Sequence, residues 1–121
     1  MNKDNRLIQL DYDLLDNYLQ SLGADVIAKM LALYREQVVV YLMGIETALL
    51  KNNDNLWQVH CHKMKGAAGS IGLKSLHAQL ALMEQTSANI SEKAQQLAEL
   101  NVHNTQALMS FDNWLKQYKV N

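Results

Sequence analysis

Residues 24–51, ADVIAKMLALYREQVVVYLMGIETALLK, carry the pattern that decides the fold. Within them Ile27, Leu31, Tyr34, Val38, Tyr41, Ile45 and Leu49 recur at steps of three and four. That spacing draws one apolar stripe along a cylinder of 3.6 residues per turn and predicts a long amphipathic helix. The run Val38-Val39-Val40 is β-prone by itself, but the stripe passes through it in register, so the helical reading holds. Proline, the residue that breaks helices, is absent from all 121 residues.

The same periodicity extends in both directions. Upstream, Asp11 can cap a short helix ending near Leu22, with Gly23 as its stop signal. Downstream, Asn52–Asn55 form a polar turn, and Asp54 is the expected cap of a helix whose stripe is Trp57, Cys61, Met64, Ala68 and Ile71. A break at Gly72 precedes a helix with Leu73, Leu76, Leu80 and Met83 inward. Residues 86–90 make another turn, and Ser91 is the expected cap of a last helix lined by Leu97, Leu108, Phe111, Leu115 and Tyr118. Asn101 and Asn104 interrupt that last stripe. The expected fold is all-α, an antiparallel four-helix bundle with a short additional N-terminal helix, in a single domain over residues 1–121.

Composition narrows the function. Apolar residues make up 49% and charged residues 19%, a globular balance. Eleven basic against twelve acidic residues give a net charge of -1, which argues against a nucleic-acid partner, since phosphates call for a basic excess. The single cysteine, Cys61, excludes an internal disulfide framework and a CxxC-type zinc site. No apolar run approaches a membrane span, and the polar lead from Met1 to Arg6 has no apolar signal region behind it. A monomeric, cytoplasmic, free-standing module is the expectation.

Residues 57–73, WQVHCHKMKGAAGSIGL, hold chemistry that packing does not explain. With Trp57, Cys61, Met64 and Ala68 inward, His62 lies off the stripe and faces solvent. Positions four and seven further on fall within about 40° and 20° of it on a helix, and both are glycine, Gly66 and Gly69. An interior helical Gly costs about 1 kcal/mol relative to Ala, and on a solvent face packing recovers none of it. The functional reading is that a partner's surface comes close to the His62 ring. The competing one is a helix end or a close neighbouring helix, and it has more force for Gly69 than for Gly66. Lys65, three residues on, offers a cation beside the same ring.

An exposed histidine beside a lysine suits phosphoryl transfer. Neutral imidazole is a competent nucleophile near pH 7, and Lys65 could stabilise charge on the transferring oxygens. The chain has no Gly-rich nucleotide loop, no Walker motif and no acidic Mg²⁺ cluster. It is therefore read as a carrier without a cofactor rather than an enzyme with an ATP site. Donor, metal and acceptor carboxylate would come from partners.

The segment from His62 to Ser70, followed by Gly72-Leu73, resembles the signature of histidine-containing phosphotransfer (HPt) domains. It is similar to the module found at the C-terminus of anaerobic-response hybrid sensor kinases. Cys61 and Met64 depart mildly from that pattern, where a small residue and Leu are commoner. The resemblance implies a multistep His-Asp phosphorelay in two-component signalling, with His62 as the residue phosphorylated at Nε2 and Lys65 in support. It also implies receiver domains of a hybrid sensor kinase and of a response regulator as partners, each supplying its own Mg²⁺. Val59, Lys63, Gly66, Gly69 and Ser70 form the expected partner-binding surface, although Val59 also fits the half-buried edge of the core. Some members hold the reactive ring with a Gln on the following helix. Glu84 stands at that offset here, next to Gln85, and Gln79 lies earlier, so Glu84 and Gln79 are the ring-orienting candidates.

Two other readings use the same residues. His60 and His62 form an HxH pair, but residues two apart on a helix point about 200° away from each other and cannot share one ion, so no metal site is expected. His77 and His103 read as surface or bundle-edge histidines, and Cys61 as an inert core thiol. The alternative function is a helical adaptor that docks a signalling partner through the third helix without being phosphorylated. The His62→Gln variant separates the two, because only a carrier loses function with it.

Overall fold

Apolar spacing becomes five helices across residues 9–118, which the computed structural model describes. They are α1 (Tyr12–Leu22), α2 (Ala24–Leu50), α3 (Asp54–Ser70), α4 (Lys74–Glu84) and α5 (Ile90–Lys116). Each of α2, α3 and α4 packs on its successor, α5 closes back on α2, and α1 lies against α2. Short connections make neighbours antiparallel, so the four longer-range partners form an up-down-up-down bundle as expected.

The predicted stripes are the core. Ile27, Leu31, Tyr34, Val38 and Ile45 of α2 are buried, as are all five stripe positions from Trp57 to Ile71 and all four from Leu73 to Met83. In α5 the buried set is larger than the one predicted, adding Leu100, Ala107 and Trp114 to Leu97, Leu108, Phe111 and Leu115. Tyr118 is the exception, 41% exposed and tilted against Trp114 rather than lining the core. Asn104, which broke the stripe, is buried because its Oδ1 accepts a 2.8 Å hydrogen bond from the Tyr34 hydroxyl. That bond satisfies both groups at the centre of the α2–α5 contact.

Two caps fall earlier than expected. Asn53, not Asp54, starts α3 by accepting from the Leu56 N–H at 3.0 Å, while Asp54 pairs with the buried Lys93. Asn89, not Ser91, starts α5 through a capping box with Glu92. In both cases the capping residue has the extended backbone that a cap needs.

The end of α3 is held from two sides. The Asp11 N–H donates to the Gly72 carbonyl at 2.8 Å, and the Tyr18 hydroxyl donates to the Ser70 carbonyl at 2.9 Å. Gly72 has φ +77°, and a Cβ there would come within 3.0 Å of Leu15. Only glycine fits both constraints, so the α3–α4 turn is tight and α4 returns alongside α3.

Candidate functional site

Burial of one tryptophan sets the geometry. Trp57 lies in the core, and its Nε1–H donates to the Met83 carbonyl at 2.8 Å, tying the start of α3 to the end of α4. The next residue along α4, Glu84, is thereby placed beside the exposed face of α3. Its Oε2 lies 2.9 Å from His62 Nδ1, and its Oε1 lies 2.6 Å from Lys65 Nζ. One carboxylate therefore holds both side chains.

Exposure is divided unevenly among the three. The Glu84 side chain is 11% exposed, Lys65 23% and His62 66%. The Lys65 hydrogen bond holds the Glu84 carboxyl below the usual carboxylate range, helped by the His62 bond and opposed by burial. An ionised carboxylate only accepts hydrogen bonds, so the proton of the neutral ring must sit on Nδ1. Nε2 then keeps its lone pair on a ring that is largely open to solvent. This is the arrangement of a positioned nucleophile.

The glycines divide. A Cβ built at Gly66 meets nothing within 4 Å, so no packing inside the domain accounts for it. At Gly69 a Cβ would lie 2.9 Å from His77 Cδ2. Gly69 is thus explained by the close passage of α4, and the reading of both glycines as a clearing above His62 is corrected to Gly66 alone. Gln79 is also misplaced as a ring-orienting candidate for His62: its Oε1 holds His103 Nδ1 at 2.5 Å instead.

Beside His62 runs a groove of about 500 Å³ between α2 and α3. Lys63, Gly66 and Ser70 line its α3 wall, and Leu33, Gln37 and Tyr41 lie on the α2 wall. Val59 is 39% exposed one turn before His62 and does not line the groove. The sequence does not announce the α2 wall: Tyr41, expected on the inward stripe, is half-buried on the groove, and Leu33 lies off that stripe. His60 turns the other way, its ring packed where a Cβ of Gly44 would otherwise sit, so the HxH pair cannot share an ion. Cys61 is buried, and burial followed by the Glu84 charge pushes its thiol up to about 12. Among the described residues, no three His, Cys, Asp or Glu side chains gather as a metal-ligand set. Among the described residues, no helix is long and apolar enough to cross a membrane.

Comparison with known proteins agrees with this layout. The family model described as Hpt domain matches residues 29–116. Over 67 residues, 55% of this chain, the sequence is 34% identical to the aerobic respiration control sensor protein ArcB of Escherichia coli strain K12. The same identity and coverage hold for ArcB of Shigella flexneri. The matched stretch is 9% of the length of those sensors. The solved histidine-containing phosphotransfer domain of ArcB from Escherichia coli superposes with a TM-score of 0.82 at 23% identity, covering 92% of this chain and 96% of that one.

Proposed function

The chain belongs to the Hpt domain family, whose members are phosphocarriers of phosphorelay signalling, and on that premise we propose that His62 is its phospho-accepting residue. His62 Nε2 attacks the phosphorus of an aspartyl phosphate on one receiver domain. The N–P bond forms as the P–O bond to the aspartate breaks, and the carboxylate leaves unprotonated. Transfer to the second receiver runs the same exchange in reverse. Glu84 keeps the Nδ1 proton throughout and stabilises the positive charge that the ring gains. Lys65 lies within reach of the incoming oxygens and supplies the cation this chain contributes, while Mg²⁺ sits on the receiver.

The observation that carries this reading is the shared carboxylate of Glu84, which points the proton inward and the lone pair outward. Gly66 and the groove with Lys63 and Ser70 form the adjoining docking surface, extended by Leu33 and Tyr41 of α2; Val59 adds an apolar edge. The likeness to a respiration-control sensor supports a receiver of a hybrid sensor kinase as one partner and a response regulator as the other. The carrier works as a cytoplasmic monomer.

Incubation with a phosphorylated receiver domain, followed by intact-mass measurement at alkaline pH, tests the proposal. One added phosphate is expected on the wild-type chain and none on His62→Gln. Binding without any label from several receivers would support the adaptor reading instead.

A further inference from the structure

A second positioned side-chain set lies on α4 and α5, at the opposite end of α4 from Glu84. Ser75 and Glu84 are nine residues apart, about 13 Å along the helix axis. The Ser75 Oγ is 2.8 Å from His103 Nε2, and His103 Nδ1 is 2.5 Å from Gln79 Oε1. An amide oxygen only accepts, so Nδ1 carries the proton and Nε2 is free to receive one from the serine hydroxyl. This is the order nucleophile, base, orienting group, with each pair within hydrogen-bond reach.

From this arrangement we infer that Ser75 is the nucleophile of a second site, which takes the acyl group of small, activated, neutral esters. Nothing in the phosphorelay uses these three residues. Burial lowers the His103 basicity below that of an ordinary histidine, which keeps the ring neutral and able to accept a proton near pH 7. Ser75 sits in the first turn of α4, where no side chain among the described residues caps the helix. The Ser75 N–H itself donates to the Gln9 carbonyl at 3.3 Å, so it is the remaining first-turn N–H groups that favour the negative charge of an oxyanion. His103 and Gln79, though not Ser75, line an adjoining open groove of about 630 Å³ whose other walls include Ala98, Val102 and Glu99. The apolar Ala98 and Val102 suit a short acyl chain, and the Glu99 carboxylate disfavours an anionic one.

The step balances without a co-reactant. Ser75 Oγ bonds to the carbonyl carbon, its proton passes to His103 Nε2, and the alcohol leaves with that proton. Water then releases the acid by the same route. A fluorophosphonate probe reports the first half: the O–P bond forms, fluoride leaves, and the adduct is stable enough to map.

The test is to treat the full chain with a fluorophosphonate and map the adduct by peptide mass spectrometry. A single phosphonyl group on Ser75 is expected. It should be absent in Ser75→Ala, slowed by about a hundredfold or more in His103→Gln, and retained in Gln79→Glu, whose carboxylate accepts the same N–H. Each variant should keep the wild-type circular dichroism and its capacity for phosphate on His62, which separates this site from the relay. An unlabelled wild-type chain, or label on any other residue, overturns the inference even if a variant fails to fold.

Discussion

His62 and His103 are both held at Nδ1 from α4, one by Glu84 and the other by Gln79, and the difference in partner and exposure separates their chemistry. The His62 ring is 66% exposed and answers to an ionised carboxylate that also binds Lys65. His103 is half-buried, answers to a neutral amide, and is made less basic by burial. A charged partner at an open edge suits a ring that gains positive charge during transfer. A neutral partner in a drier setting suits a ring that stays neutral between events. One helix thus holds two imidazoles at the same ring nitrogen in two different environments.

The largest effects that would break this contrast lie at the His62 edge. Gly66→Gln places a long side chain on the open face, and docking should weaken enough to slow transfer by about tenfold to a hundredfold, the cost of 1–3 kcal/mol of overpacking. The fold should be unaffected, because nothing lies within 4 Å of the new Cβ. Transfer at the wild-type rate, measured by quenched-flow mass analysis, would remove the steric role of this glycine. Glu84→Ala takes away the ring's orienting partner and should slow transfer by about tenfold. Restoration by Glu84→Gln would show that the hydrogen bond matters more than the charge.

Acid titration of stability sharpens the contrast further. Glu84 has a folded pKa below its ordinary 4.5. The unfolded state therefore binds the proton first, and the Glu84 contribution, complete above about pH 4.5, is lost as pH falls below it. His103 is depressed below its ordinary 6.5 by burial. Its unfolded form also binds the proton first, so stability starts to fall below about pH 6.5. Urea melts from pH 8 to 3 should show both slopes, with the upper one missing in His103→Gln and the lower one missing in Glu84→Gln. Identical profiles for the variants and the wild type would contradict the assignments.

The smallest expected effect separates the two glycines. Gly66→Ala should raise stability by about 0.5–1 kcal/mol, the usual helical gain where no neighbour objects. Gly69→Ala should gain less, since its Cβ must displace the His77 ring. Equal gains in denaturant titrations would mean that α4 does not press on Gly69.

Much of this architecture was legible because a helix repeats its burial every three or four residues. The stripes from Ile27, Trp57 and Leu73 each landed on the core side, and placing His62 off the stripe was enough to expose it. Caps were harder. Asn53 and Asp54, like Asn89 and Ser91, are chemically equivalent candidates, and only backbone conformation and the pull of Lys93 on Asp54 choose between them. The partner of each histidine was harder still. Glu84 and Gln79 are both on α4, and their assignment depends on the crossing fixed by the Trp57–Met83 hydrogen bond, which joins residues 26 apart in sequence. Gly69 misled for a related reason: periodicity gave its direction on α3, not how closely α4 passes.

The central claim is that Glu84 directs the reactive lone pair of His62 outward on Nε2. Nitrogen-15 NMR of histidine-labelled protein, phosphorylated by a receiver domain and kept alkaline, tests it most directly. The account predicts phosphorus coupling at His62 Nε2 with the proton retained on Nδ1. A phosphoryl group on Nδ1, or on any histidine other than His62, would contradict it.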